Sequence, residues 1–309
     1  MLNNPFFDGL PSCSSFSTSA NEQLYGTAPK TSFWLMVEYP HPPGNKALDE
    51  SQVPEPIKMY LTDLQKSVPA MRLVLIRREQ PGTNRRIAVF ASISTAENPR
   101  LYEFKISSYA EIRSIDLQSL FDREIEMPEN IRNDPIFLVC TNGKRDPCCS
   151  RLGYPVYQSM AAQQGDWVWQ TSHVGGHRFA ANVICLPHGI YCGRVNPENS
   201  ISLIRDYRNQ RLTPNVYRGR ACYEAHIQAA EYFFMEKTSI NSCDAIQLLG
   251  SEQIGENHWE IIFLSRTDEN RYNFSVAAEK SAFEIYESCN RPDKISSHLR
   301  YKLVDWSIT

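Results

Sequence analysis

The chain has 309 residues, of which 42% are hydrophobic and 22% charged, a composition typical of a globular protein of two or three domains. A net charge of −3 excludes a general electrostatic attraction to nucleic acid or to an anionic membrane. Nine irregularly spaced cysteines argue against a disulfide scaffold and predict a reducing compartment, the cytosol, where clustered cysteines usually serve metal or redox chemistry.

The first part of the chain predicts a small α/β unit. Residues 1–30 are expected to form an irregular arm, and no secretory signal or membrane span is predicted. An apolar run at 33–39 predicts a buried strand, and apolar residues at helical spacing predict a helix over 55–68. Runs rich in β-branched and aromatic residues predict three further strands at 72–76, 87–93 and 101–106.

A charged linker at 121–134 leads to a second unit with a similar order of elements, which indicates an internal duplication of the fold. Its predicted strands lie at 135–140, 167–172, 179–186 and 190–195, and its predicted helices at 149–163, 200–210 and 222–237. Pro155 is expected near the start of the first of these helices, or else to break it. Residues 240–309 alternate in polarity and predict a small antiparallel sheet.

Candidate metal ligands are concentrated between residues 140 and 177. Cys140 ends a predicted strand, and Cys148 or Cys149 begins the following helix. His173 and His177 flank two glycines after the next strand. If the two strands are neighbours, the thiols and imidazoles face each other, and this set of ligands suits zinc or an iron–sulfur centre.

The residues around these ligands fit the same interpretation. Gly175 and Gly176 can adopt positive φ and let backbone N–H groups approach a sulfur closely. Lys144, Arg145 and Arg178 can offset the negative charge of a thiolate-ligated centre. The alternatives are a buried thiol cluster with hydrogen-bonded histidines, or thiol chemistry without a metal.

Two further groups of residues can be interpreted either as ordinary surface residues or as functional ones. His188, in a Pro-His-Gly turn, is expected to be solvent-exposed rather than a proton relay. The arginine pairs 77–78 and 85–86 are expected to form a solvated rim, and the alternative is a docking patch for an acidic redox partner.

Several segments together resemble the sucrase/ferredoxin-like family of thioredoxin-like ferredoxins. They are CTNGKRDPCC at 140–149, SHVGGHRFA at 172–180, QAAE at 228–231 and ESC at 287–289, with CSS at 13–15 and LYGTA at 24–28 near the start. The resemblance implies a [2Fe–2S] cluster held by Cys140, Cys149, His173 and His177 in a thioredoxin-like domain, with Cys148 as a neighbour rather than a ligand. Related ferredoxins carry cysteines at the two histidine positions.

The resulting expectation is an α/β fold of two tandem thioredoxin-like domains with a small β-rich C-terminal region. The domains are expected at 1–125, without cluster ligands, and at 126–238, with the cluster, followed by the β-rich residues 239–309. The expected function is one-electron transfer to or from a redox partner protein, with no nucleic acid or membrane partner and no substrate of its own. The alternative is a zinc-stabilised Cys2His2 binding module without redox activity.

Histidine ligation predicts a reduction potential that depends on pH. Neutral imidazoles in place of thiolates raise the potential of a [2Fe–2S] cluster. An imidazole whose outer nitrogen reaches solvent is expected to take up a proton when the iron is reduced, so the potential should fall as the pH rises. Voltammetry of the purified protein measures this directly. A potential that is constant between about pH 6 and pH 10 would contradict the coupling.

Overall fold

The computed structural model describes residues 11–79 and 86–309, which form six α-helices and fifteen strands. The helices are α1 (Cys13–Ser19), α2 (Glu55–Ser67), α3 (Leu117–Phe121), α4 (Pro147–Gln164), α5 (Pro197–Arg208) and α6 (Ala225–Thr238). The first nine strands are β1 (Phe33–Glu38), β2 (Met71–Arg77), β3 (Ile87–Ile93), β4 (Arg100–Ile106), β5 (Ile136–Cys140), β6 (Val168–Thr171), β7 (Val183–Leu186), β8 (Ile190–Cys192) and β9 (Tyr217–Arg220). The others are β10 (Ile246–Gly255), β11 (His258–Ser265), β12 (Arg271–Lys280), β13 (Ile285–Tyr286), β14 (Ile295–Ser296) and β15 (Leu299–Ile308).

The first nine strands form one mixed sheet in the order β4-β3-β1-β2-β6-β5-β7-β8-β9. In the first half, β1 runs parallel to β2 and antiparallel to β3, which pairs with β4. In the second half, β5 runs parallel to β6 and antiparallel to β7, which pairs with β8. The two halves therefore share one pairing order and are joined where β2 meets β6, through Ile76↔Thr171 and Arg77↔Gln170.

The sheet curls, so that one face packs on itself while helices cover the other. Alternate residues of both halves form a shared core on the inner face, where the ring of Trp34 in β1 lies 5.9 Å from that of Tyr191 in β8. On the outer face, α2 packs on the first half, and α4 and α5 pack on the second. The mixed α/β fold predicted from the sequence is confirmed at this level.

The last part of the chain is mainly antiparallel β-structure, as expected. Strands β10, β11, β12 and β15 form a four-stranded sheet against which α6 packs. Helix α6 is tied to β9 by a buried ion pair in which Arg220 donates to Glu231 at 2.8 Å. A helix long and apolar enough to cross a lipid bilayer does not occur within residues 11–79 and 86–309.

Some elements differ from the sequence-based expectation. The arm expected to be irregular contains α1, whose N-cap Ser12 accepts a hydrogen bond from the N–H of Ser15 at 3.1 Å. Residues 1–10 of that arm lie outside the described residues. Strand β9 was not predicted, and a 3-10 helix, His177–Phe179, replaces the start of the predicted hairpin. Pro155 neither begins nor breaks α4, which continues to Gln164.

The expectation of an exposed His188 is wrong. Its side chain is buried, its Nδ1 lies 2.7 Å from the hydroxyl of Tyr207 in α5, and its Nε2 lies 3.7 Å from Asp244. Residues remote in sequence cover the turn, and their presence cannot be predicted from the local Pro-His-Gly pattern. Burial lowers the pKa of His188, although Asp244 opposes this.

Candidate metal centre

Three chain elements bring the central ligands together. Cys140 is the last residue of β5, and its register partner across the parallel pairing with β6 is Thr171. His173 therefore begins the loop that leaves the same edge of the sheet, two residues beyond that partner. Cys149 lies in the first turn of α4, which starts directly after the loop that follows Cys140. The expectation that the two strands are neighbours is confirmed.

The Sγ atoms of Cys140 and Cys149 and a ring nitrogen of His173 lie within 4.8 Å of one another. The Sγ of Cys149 is 4.0 Å from the Nδ1 of His173. His177 lies beside this group, with its ring centroid 4.5 Å from that of His173 and the two rings inclined at 25°. Its Nδ1 is buried and has no hydrogen-bond partner among the described residues, so the atom is available for a ligand.

Hydrogen bonds, neighbouring charges and burial shift the pKa values of this group in different directions. The thiol of Cys149 hydrogen-bonds to Cys140, which lowers the pKa of Cys140 well below its usual range, and His173 adds to this effect. The same hydrogen bond, together with burial, raises the pKa of Cys149. Burial, followed by the charge of His173, lowers the pKa of His177 to about 4. The ring of His177 is therefore neutral at pH 7, the form that binds metals.

Four polar side chains hold the loop between the two histidines by its carbonyl groups. The carbonyl of Val174 accepts hydrogen bonds from the guanidinium of Arg72 and the hydroxyl of Tyr191, each at 3.0 Å. These contacts fix the loop against β2 and β8. The sequence does not single out either residue, because both contacts are non-local. Arg72 is 102 positions from Val174, and Tyr191 is 17 positions from it.

The next two carbonyls are held by a pair of buried side chains. Arg218 donates to the carbonyl of Gly175 at 3.3 Å and to the side chain of Asn182 at 2.7 Å, and Asn182 donates to the carbonyl of Gly176 at 2.9 Å. Burial lowers the pKa of Arg218 to about 9. A single arginine in a four-residue strand gives no sequence pattern, and its role was not predicted.

Both glycines of the loop are required by its backbone. Gly175 and Gly176 adopt φ values of 101° and 72°, the left-handed region in which L-residues are strained. A Cβ on Gly176 would lie 2.5 Å from Nη2 of Arg218, and one on Gly175 would lie 2.9 Å from Pro29. The positive φ expected from the sequence is confirmed at both positions.

The basic residues expected to offset thiolate charge make other contacts. Arg178 forms an ion pair with Glu22 at 2.9 Å and lies over the ring of Phe179. Arg145 is exposed and donates to the side chain of Asn45 at 3.1 Å. Compensation of charge by Arg145 and Lys144 stays a prediction, whereas Arg178 has a carboxylate partner of its own.

Cys148 points away from this group and joins a second one. Its Sγ lies 3.5 Å from that of Cys13 and 3.4 Å from that of Cys289, with the carboxylate of Asp146 alongside. Hydrogen bonds from Cys13 and then from Cys289 lower the pKa of Cys148 to about 2. The adjacent cysteines of α4 thus face different clusters, and no local pattern predicts that Cys13 lies in one of them.

The arginine pairs 77–78 and 85–86 are partly engaged where the structure describes them. Arg77 donates to Gln170 at 2.9 Å, and Arg78 pairs with Asp166 at 3.0 Å while lying over the ring of Trp169. Arg85 lies outside the described residues, and Arg86 is exposed. A docking role for this rim stays a prediction.

A family model described as sucrase/ferredoxin-like matches residues 24–219, more than half of the chain, and the chain belongs to this family. It is also similar to three yeast proteins named "Altered inheritance of mitochondria protein 32". The identity is 30% over 118 residues for Meyerozyma guilliermondii, which covers 33% of this chain and 40% of that protein. It is 27% over 104 residues for Candida glabrata, covering 29% and 33%, and 30% over 110 residues for Clavispora lusitaniae, covering 31% and 40%.

The matched regions therefore span about a third to two fifths of the length of these relatives. No solved structure matches the chain.

The packing of α4 on β5 holds Cys149 beside Cys140, and it depends on Gly153. A Cβ at Gly153 would lie 2.1 Å from the carbonyl oxygen of Cys140, so Gly153→Ala must push the helix away from the strand. We expect this variant to lose about 1–3 kcal/mol of unfolding free energy in urea titrations of the metal-free protein. Gly165→Ala, at the exposed C-cap of α4, should change it by less than about 0.5 kcal/mol. Equal stability of both variants would contradict this packing.

Proposed function

We propose that the protein is a one-electron carrier that binds one [2Fe–2S] cluster through Cys140, Cys149, His173 and His177. The observation that carries the proposal is the convergence of two buried thiols and one imidazole within 4.8 Å, with a second imidazole stacked beside them. Membership of a family described as ferredoxin-like supports it. The proposal is of a carrier without a substrate of its own, rather than of an enzyme.

A [2Fe–2S] cluster supplies a single reversibly transferred electron, and the chain provides the surroundings for it. The two cysteines are buried, which keeps water from the sulfur side, whereas His173 and His177 are only half-buried. The hydrogen bonds to the loop carbonyls fix the positions of both rings in advance. This arrangement fits outer-sphere electron transfer, which needs a rigid site close to the surface.

We also propose that the two halves of the large sheet are tandem thioredoxin-like domains, residues 1–125 and 126–238, followed by a β-rich region, 239–309. The identical pairing order of β1–β4 and β5–β8 supports this division. Only the second half carries the ligand set. The first half contributes Arg72, which holds the histidine loop, so its proposed role is to support the site.

The proposed exit for the electron is the groove beside His177. This groove has a volume of about 620 Å³, and its lining includes Arg145, Arg291 and Lys294, against one carboxylate, Glu287. A surface with this charge fits a redox partner protein with an acidic docking face. We propose the cytosol as the location of the carrier on the basis of its cysteine content. The name of the relatives makes mitochondria the alternative location to test.

Metal and sulfide analysis tests the cluster. Protein purified without oxygen should contain about two iron and two sulfide per chain and absorb visible light. Cys140→Ser, Cys149→Ser, His173→Ala and His177→Ala should each lose iron, whereas Cys148→Ser and Cys222→Ser should retain it. Mössbauer spectra of the loaded protein show whether both imidazoles bind the same iron. A colourless protein that holds zinc at these four residues would instead establish the zinc-stabilised binding module.

The charged groove predicts salt-dependent reactivity with anions. We expect the double variant Arg291→Glu, Lys294→Glu to slow oxidation of the reduced protein by hexacyanoferrate(III) several-fold in stopped-flow experiments at about 0.01 M ionic strength. The difference should disappear at about 1 M salt, where charges are screened within about 3 Å. Lys66→Glu, on the exposed side of α2, is the matched control. Equal rates for the double variant and the wild type would argue against this exit.

A further inference from the structure

The second thiol group gathers residues from three distant parts of the chain. Cys13 lies at the start of α1, Cys148 in the first turn of α4, and Cys289 in the segment after β13. With Asp146 they offer three sulfurs and a carboxylate oxygen that all lie within 4.8 Å of one another. We propose that Cys13, Cys148, Cys289 and Asp146 bind one zinc ion, separate from the cluster ligated by Cys140, Cys149, His173 and His177.

The spacing of the sulfurs fits a single tetrahedral ion. Zinc–sulfur bonds of about 2.3 Å in a tetrahedron put neighbouring sulfurs about 3.8 Å apart. The Sγ of Cys148 lies 3.5 Å from that of Cys13 and 3.4 Å from that of Cys289, so each needs to move by only a few tenths of an ångström.

Asp146 is oriented to serve as the fourth ligand. Its Oδ1 accepts a hydrogen bond from the N–H of Cys148 at 2.9 Å, and its Oδ2 accepts from the N–H of Cys289 at 2.8 Å and the hydroxyl of Ser288 at 2.9 Å. A carboxylate has about four acceptor positions, so one remains on Oδ1. Its oxygens lie 3.8 Å and 3.9 Å from the Sγ of Cys13. A set of three thiolates and one carboxylate suits zinc, which accepts both sulfur and oxygen.

The site is closed to solvent, as structural zinc sites are. The exposed fractions of Cys13, Cys148, Cys289 and Asp146 are 0%, 2%, 4% and 0%. The excess negative charge of a zinc ion with four anionic ligands is offset by the N-terminus of the 18-residue helix α4 and by the N–H of Cys13, which donates to the Sγ of Cys289 at 3.2 Å. Binding needs no oxidant, because zinc displaces the remaining thiol protons into solvent.

A bound ion here would join α1 and the segment after β13 to the start of α4. Cys13 and Cys289 are separated by 276 positions. Helix α1 also carries Ser17, which donates to Glu22 at 2.6 Å, and Glu22 holds Arg178 beside His177. The zinc is therefore expected to stabilise the arm that packs against the histidine loop.

Elemental analysis of the full chain, purified without oxygen or chelator, tests the proposal. We expect about one zinc per chain in addition to iron. Cys13→Ser and Cys289→Ser should lose zinc but keep iron and the visible spectrum, Cys140→Ser should lose iron but keep zinc, and Cys222→Ser should keep both. Asp146→Asn, which retains the shape of the side chain, should weaken zinc binding at least about tenfold in competition with a chromophoric chelator.

A spectroscopic readout covers the case in which the cysteine variants fail to fold. Wild-type protein depleted of zinc and given Co²⁺ should show sulfur-to-cobalt charge transfer and the intense visible bands of tetrahedral cobalt. Iron without zinc or cobalt binding overturns the proposal, as does zinc that persists in Cys13→Ser and Cys289→Ser. A disulfide between two of the three cysteines, detected by intact mass, also overturns it. An absence of iron and sulfide, with zinc that is lost in Cys13→Ser but retained in Cys140→Ser, would reject the electron carrier and leave this zinc site standing.

Discussion

The geometry of the candidate metal centre depends on the parallel pairing of β5 with β6. Parallel neighbours end at the same edge of a sheet, so the thiol that closes β5 and the histidine loop that follows β6 emerge side by side. The crossover between them is α4, which returns across the sheet with its first turn beside the end of β5 and so delivers Cys149. An antiparallel arrangement of these two strands would send their ends to opposite edges of the sheet.

Rigidity of the histidine loop has a different source, a set of buried polar contacts. The guanidinium of Arg218 is nearly inaccessible to water and makes hydrogen bonds to the carbonyl of Gly175 and to Asn182, and it pairs with no carboxylate among residues 11–79 and 86–309. If the loop moved away, this buried cation would lose its hydrogen bonds without gaining water in their place, which is energetically costly. The loop is therefore held to the arrangement that satisfies this residue, and the glycines keep the space that the guanidinium occupies.

Elements and contacts that depend on nearby residues can be predicted from the sequence, whereas those that depend on residues far apart in the chain cannot. Strands β1–β8 were found within a few residues because apolar and β-branched runs are local signals, and the spacing of Cys140, Cys149 and His173 reflects one strand–helix–strand segment. Helix α1 was missed because its serine-rich sequence has a low helix propensity and its buried face depends on remote contacts. The burial of His188 and the contacts of Arg218 were also missed, because they too depend on residues remote in the sequence.

The two cysteine groups differ in how much of the chain must exist before each can form. The thiol of Cys149 and the ring of His173 are 24 positions apart, whereas Cys13 and Cys289 meet across 276. Ring closure over a longer span costs more entropy, and during synthesis it must wait until the segment that carries Cys289 has left the ribosome. The two groups can therefore form in a set order during synthesis. Cys140, Cys149 and His173 can come together before Cys289 is available to Cys13 in the N-terminal arm.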